Sequence, residues 1–254
     1  MNDWIRPDWQ APPHVHAIAT TRMGGVSLGQ YASMNPASHV HDDEQAVIKN
    51  RLLLQQSLGL NSAPFWLDQC HSIQILDLDR DKSGSHADGS TTMQNDVACV
   101  VMTADCLPVL LTDKAGRRVA ALHAGWRGLA DGILEAGVKL FSPGHEVIAW
   151  LGPAIGPQRF EVGGEVVEQL TLDGIKQTEW CQKAGSRGKW LVDIYRQASL
   201  RLQRAGVMDV AGGGYCTFTD DQKFFSYRRQ GDCGRMASLI WLDHRADDGQ
   251  ISPS

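Results

Sequence analysis

A chain of 254 residues, 43% hydrophobic and 21% charged, carries enough apolar mass for one large core, and its net charge of −5 argues against a general nucleic-acid or membrane-surface binder. No stretch approaches the roughly 18 uncharged apolar residues of a membrane span, and MNDWIRPDWQAPPHVHAIATT lacks the basic start and apolar middle of a secretory signal. Six scattered cysteines without a Cys-x-x-Cys pair read as reduced thiols of a cytoplasmic protein.

In chain order, HVHAIATT predicts a strand and RMGGVSLG a turn. DDEQAVIKNRLLLQQSLGL predicts a helix capped by Asp42 or Asp43 and stopped at Gly59, with Val47, Leu54, Leu58 and Arg51 along one stripe. APFWLDQCHSIQILDLD alternates as a strand does, with His71 near its middle, and KSGSHADGSTT reads as loop. DVACVVMTADC, LPVLLTD and RVAALHAG are apolar runs expected as buried strands. LADGILEAGVKLF predicts a helix whose apolar face is Leu129, Ile133, Leu134, Leu140 and Phe141. EVIAWLGPAIG predicts a strand entering a Gly-Pro loop, and GGEVVEQL and LVDIYRQASLRLQRAG predict helices. VMDVAGGGYCTFT, KFFSYRR and RMASLIWLD are expected as strands. With no internal repeat, no linker and no regular βαβ alternation, the expected fold is a single α+β domain over residues 1–254, with mixed β-sheets flanked by helices.

Cys106 and His123 each stand where an apolar run gives way to a turn, a place from which side chains converge on a cleft while the sheet holds their backbones. His71 can complete a trio. Two imidazoles and a thiolate suit Zn²⁺ and leave a fourth position open for water. The spacing 71, 106, 123 matches no compact metal motif, and a lone cysteine or histidine also serves as an ordinary core residue. HAGWRGL, residues 123–129, joins a strand to a helix through two glycines. Backbone N–H groups and Arg127 there can form an anion site, or the segment is a tight turn with a paired arginine. Arg22, Arg228, Arg229 and Arg235 recur beside turns and are candidates for a phosphate or carboxylate ligand. His14 with His16, and His39 with His41, would share a face if extended and are weaker metal candidates. Asp88 and Asp105 are candidate acid/base carboxylates.

The segments TTRMGGVS, HDDEQAVIKNR, QCHSIQ, TADCLPVLL, HAGWRGL, LGPAIGPQRFEVG and FFSYRRQGDCGR run in one order across nearly the whole chain. In them the chain resembles the bacterial laccase-domain proteins, also called the multicopper polyphenol oxidoreductase family or purine nucleoside phosphorylase-like peptidoglycan-editing factors. The resemblance implies an α+β fold of the cysteine hydrolase type and zinc held by His71, Cys106 and His123. It implies phosphorolysis of adenosine, inosine and methylthioadenosine, and deamination of adenosine, with Cys106, His71, His123 and Arg127 in catalysis and Arg22, Arg127, Arg228 and Arg229 on the substrate. Editing of a cell-wall precursor, with Cys106 as nucleophile and His71 or His123 as base, is the alternative. A copper-dependent polyphenol oxidase is another, with Cu²⁺ in the same three-donor site, because nine histidines spread through unrelated segments do not fit a full four-copper apparatus. A metal-buffering or partner-binding protein without turnover is a further, non-enzymatic expectation. QCH stands where the family more usually has Gln-Val-His, and alternation along the expected strand turns Cys70 away from His71. The expected partners are purine nucleoside and phosphate, or a cell-wall precursor, with the chain a monomer or homodimer and neither nucleic acid nor membrane involved.

Overall fold

The computed structural model describes residues 3–81 and 85–243. Its elements are β1 (Val15–Ala19), α1 (Glu44–Leu58), β2 (Ile75–Asp77), β3 (Gly89–Thr92), β4 (Cys99–Thr103), β5 (Leu107–Asp113), β6 (Val119–Ala124), α2 (Trp126–Asp131) and α3 (Ile133–Val138). Then come β7 (Val147–Leu151), β8 (Glu161–Gly163), α4 (Gly164–Leu170), β9 (Cys181–Lys183), β10 (Lys189–Val192), α5 (Ile194–Arg204), β11 (Asp209–Gly212), α6 (Tyr227–Gln230) and β12 (Met236–Leu242). A six-stranded sheet runs β11-β7-β5-β6-β3-β2, parallel at its two ends and antiparallel between. Two three-stranded antiparallel sheets, β1-β12-β4 and β8-β10-β9, accompany it. This is a single α+β domain with mixed sheets.

Alternation along the central strands sorts the core into two layers. Leu107, Val109 and Leu111 of β5 and Ala120, Leu122 and Ala124 of β6 pack against α2, α3, α4 and α5. Leu110, Val119 and Ala121 face the other way, onto Val15, Ala17, Val101 and Ile240 of the β1-β12-β4 sheet. The six-stranded sheet is therefore covered on both faces, which is why its strands read as continuous apolar runs. Leu122 has no exposed surface, and both Gly89 and Gly137 lie so near it that an added Cβ would come within 2.8 and 2.5 Å of its methyl carbons. Leu122→Ala is expected to cost about 2–5 kcal/mol, since neighbours fixed by strand and helix cannot collapse into the space. A urea melt with unchanged slope and a lower midpoint checks it.

Several elements differ from the expectations above. The helix after β6 is broken at Gly132, whose φ of 99° is left-handed, into two six-residue helices. Residues 63–79 hold only the short strand β2, and His71 sits in a loop with φ 63°, so the alternation argument for Cys70 does not apply. KFFSYRR is not a strand: Ser226 caps α6 by accepting the Arg229 N–H. In the stretch read as loop, residues 82–84 lie outside the described residues, and Gly89–Thr92 is a buried strand whose Thr91 hydroxyl donates to Val119 O at 2.8 Å. The start of LVDIYRQASLRLQRAG belongs to β10, and Asp193 caps the helix that follows. Helix α1 matches its expectation, with Asp43 accepting from Ala46 N–H and Gly59 left-handed at φ 66°.

Candidate metal centre

Three neighbouring segments build the site. Antiparallel pairing of β5 with β6 sets Leu107 opposite Ala124, which brings the residue before β5, Cys106, beside the residue after β6, Gly125. Pairing of β3 with β6 sets Gly89 opposite Leu122, which brings Asp88 beside His123. The His123 N–H donates to Asp88 O at 2.7 Å, and its Nδ1 meets Asp88 Oδ1 at 2.8 Å. Asp88 also folds the loop before β2 around its carboxylate. It accepts from His71 N–H at 2.9 Å, Ser72 N–H at 2.6 Å, Ser72 Oγ at 2.8 Å and Cys70 N–H at 3.2 Å. One buried carboxylate thus fixes two of the three residues.

The donor atoms of His71, Cys106 and His123 all lie within 4.8 Å of one another, with Cys106 Sγ 3.9 Å from His71 Nε2. Zn–S and Zn–N bonds at the tetrahedral angle would set sulfur and nitrogen about 3.6 Å apart, so the trio fits a divalent ion with minor contraction. The chemistry of the set agrees. Asp88 engages His123 Nδ1, leaving Nε2 as the free donor, the usual outer partner of a metal-binding imidazole. Burial alone would raise the Cys106 thiol, but the His123 ring outweighs it and holds the thiol at about 6. Burial would lower His123, but the Cys106 sulfur and Asp88 push it up to about 9. Each thus favours the other's charged form, and a dication between them would act on the sulfur in the same direction. Burial would raise Asp88, yet the hydrogen bonds from His123 and Ser72 hold it well below the usual carboxylate range.

Gly125 matters for room. Its φ is an ordinary −62°, but an added Cβ would lie 2.8 Å from His71 Cδ2 and 3.2 Å from Cys106 Sγ. If the trio holds a divalent ion, Gly125→Ala is expected to weaken its binding about tenfold or more with little loss of melting temperature, measured by competition with a chromophoric chelator.

The three donors open into a cleft of about 510 Å³ that also has Trp126, Arg127, Phe160, Tyr227, Arg228 and Arg235 on its walls. The Arg127 guanidinium lies 4.3 Å from the Trp126 ring centre and has no carboxylate partner among the described residues. Arg228 donates to Glu161 O at 2.8 Å and lies over Phe160. Arg235 donates to Cys233 O at 2.6 Å. Arg22 and Arg229 are not cleft residues. Arg22 donates to Ala32 O and Asp221 O over Phe225, and Arg229 donates to Thr217 O, Phe218 O and Phe224 O. Both tie neighbouring loops together through these carbonyl oxygens. The N–H end of α2 belongs to a helix of only six residues and has no side-chain cap. The His-x-His pairs do not converge on a shared ion: His14 meets Gly116 O, His16 pairs with Asp243, His41 with Asp232, and His39 alone lines the cleft. The Asp88 carboxylate is filled by protein donors, and Asp105, which lines the cleft, accepts three hydrogen bonds from the segment 217–228.

Sequence reasoning missed Gln69, Phe160 and Tyr227 as cleft residues. Gln69 carried a local signal, two residues before His71. Its amide mimics a strand, donating to Met102 O at 2.8 Å and accepting from Met102 N–H at 2.7 Å.

The model of the family described as multi-copper polyphenol oxidoreductase laccase matches residues 16–243. The chain belongs to this family. It is 49% identical over 243 residues to a Pseudomonas aeruginosa protein named purine nucleoside phosphorylase, covering 95% of this chain and 99% of that one. It is 46% identical over 244 residues to the Escherichia coli purine nucleoside phosphorylase YfiH, covering 95% and 100%. Among solved structures, a Neisseria meningitidis protein superposes with a TM-score of 0.89 at 45% identity, covering 95% of this chain and 100% of that one. YlmD from Geobacillus stearothermophilus does so with a TM-score of 0.82 at 30% identity, covering 91% and 93%. Members of this laccase-like family thus share its fold end to end.

Proposed function

We propose that this chain is a zinc-dependent purine nucleoside phosphorylase, one catalytic domain spanning the chain and working on small molecules in the cytoplasm. The observation that carries the reading is the His71–Cys106–His123 cluster at the floor of a cleft walled by guanidinium groups and aromatic rings. The names of relatives matching nearly the whole chain support it.

Zinc held by His71, Cys106 and His123 supplies Lewis acidity at an open coordination position. The residues around it account for the rest. Arg127, Arg228 and Arg235 bring fork-shaped donors to a phosphate dianion. Trp126, Phe160 and Tyr227, with Ile155 and Ile194, give flat and apolar surface to a purine. A phosphate oxygen bonds to the ribose C1′ as the C1′–N9 bond breaks, and the departing electrons leave with the base, which takes up a proton. The positive charge that develops on the sugar is countered by the phosphate held against it. Deamination of adenosine, with water displacing ammonia at C6, belongs to the same reading. Purified protein given adenosine or inosine with phosphate should release free base and ribose 1-phosphate, methylthioadenosine with phosphate should release adenine and 5-methylthioribose 1-phosphate, and adenosine alone should yield inosine. No product from the wild type, or full activity in Cys106→Ala, refutes the phosphorylase reading.

A second reading, an amidase that edits a cell-wall precursor, is favoured by one observation. The Cys106 sulfur lies 3.9 Å from His71 Nε2 and within 4.8 Å of a His123 ring nitrogen, and against burial these imidazoles lower the thiol, as a nucleophile paired with a base requires. Elemental analysis separates the two. Zinc at one per chain, lost in His123→Ala, disfavours a thiol nucleophile, because the sulfur would then be occupied. Copper in place of zinc would account for polyphenol oxidation. Among the described residues one such three-donor group exists, which serves a single ion.

A further inference from the structure

We propose that Asp105 is a positioning residue that holds the Cys106 sulfur and the Arg228 wall of the cleft in one fixed relation. The proposal rests on the phosphorylase reading for what Arg228 binds, and on geometry alone for what Asp105 does.

Asp105 occupies the turn between β4 and β5 with φ 92°, a left-handed conformation that an L side chain adopts only where its surroundings impose it. Four contacts impose it. Its main-chain oxygen accepts the Ile155 N–H at 3.0 Å. Its Oδ1 accepts from Thr217 Oγ1 at 2.6 Å, and its Oδ2 accepts from Ser226 Oγ at 3.0 Å and from the Arg228 N–H at 2.7 Å. All three side-chain partners lie more than 110 positions away in sequence, on the segment that carries Tyr227 and Arg228 into the cleft. Ser226 is also the cap of α6, accepting the Arg229 N–H at 3.2 Å, so the carboxylate grips that helix at its first turn.

The consequence follows from chain connectivity. Adjacent Cα atoms are about 3.8 Å apart, so the backbone torsions of Asp105 decide where Cys106 Sγ points. The same carboxylate decides where Arg228 begins. Asp105 itself lies on the cleft wall, but both its oxygens are engaged by protein donors, and the role assigned to it runs through those neighbours. An asparagine could keep the Thr217 bond, but its amide hydrogens would face the Arg228 N–H, donor against donor.

The test uses full-length protein, wild type and Asp105→Asn, loaded with Co²⁺ in place of zinc. The sulfur-to-cobalt charge-transfer band reports the Cys106 sulfur, and titration with inorganic phosphate reports the arginine wall. Asp105→Asn should bind one Co²⁺ per chain and melt within a few degrees of wild type. Its band should shift, its phosphate affinity should fall about tenfold, and KM for phosphate should rise more than kcat falls. An unchanged band with unchanged phosphate affinity overturns the proposal, as does a change that appears only in step with a collapsed melting temperature. Should Asp105→Asn fail to fold, Thr217→Val and Ser226→Ala remove the donors one at a time and are read by the same measurements. If the wild type binds cobalt but no phosphate, the phosphorylase reading fails, and the band alone decides whether Asp105 positions Cys106.

Discussion

Cys106→Ala is expected to lose its metal and its phosphorolysis together while keeping its fold. The sulfur is one of three atoms that could hold an ion, and the only one that would bring it a full negative charge. Two imidazoles alone make a weaker, water-filled site. Groups that act as a unit lose nearly everything when one is removed, so the rate should fall by roughly 10³-fold or more. The fold should hold because Cys106 is half-buried in a turn, outside the strand cores that supply the packing energy. Even a loss of about 1 kcal/mol moves the melting temperature of a chain this size by roughly 2–4 °C. Elemental analysis, a thermal melt and initial rates with inosine and phosphate check the three parts. Stoichiometric zinc in the variant would refute the three-donor site, and zinc loss with full phosphorolysis would separate the metal from the chemistry.

Much of the frame was legible in the sequence because burial on both faces leaves a plain mark. The runs CVVMT, LPVLLTD, VAALHA and MASLIWL are strands for the reason that makes them apolar: β4, β5, β6 and β12 have no solvent-facing side. Helix α1 was legible from its ends, Asp43 and Gly59, more than from its faces, since Ile48 and Leu52 remain exposed. What escaped reading was structure held by polar contacts. GSTT is a buried strand whose hydroxyl composition is that of a loop, and its place is set by pairing with β6, a partner about 30 residues away. The segment around His71 alternates like a strand but is wrapped around the Asp88 carboxylate instead, and no local pattern announces a carboxylate 17 positions on.

The site divides along the same line. Cys106 and His123 were visible because each ends an apolar run, and sheet register then sets them on one edge. His71 entered only as a third donor of suitable type, and its joining the others depends on a loop with φ 63°. The arginines divided by partner. Arg127 and Arg228 reach the cleft, whereas Arg22 and Arg229 spend their donors on carbonyl oxygens of neighbouring loops. Arginine beside a turn is a common sequence feature; which oxygens it meets is decided by segments far along the chain.

Asp88→Asn is expected to weaken zinc binding by about 10–100-fold, the usual cost of removing the outer partner of a metal-binding histidine, although residue 88 itself touches no metal position. The asparagine oxygen can still accept from one donor, but its amide hydrogens would confront the N–H groups of His71 and Ser72 that the carboxylate now receives. The His71 loop should loosen, and the metal-free protein should lose about 3 kcal/mol, since a buried charge-assisted network is removed at one stroke. The pH dependence has a definite sign. Asp88 is held below its free carboxylate value of 3.8 by His123 and Ser72 acting against burial. Its stabilising contribution is therefore complete above that value and is lost as pH falls through the lower, folded-state value. The gap in unfolding free energy between wild type and Asp88→Asn should be widest at about pH 5 to 6 and should narrow on acidification below about pH 4. It should narrow again between about pH 6.5 and 9, because the carboxylate is one cause of the raised His123 value and that contribution is lost as the imidazole gives up its proton. Urea melts of both metal-free proteins across that range measure it. A gap that widens on acidification below about pH 4 would mean that the residue 88 carboxylate is not the charged acceptor that this geometry requires.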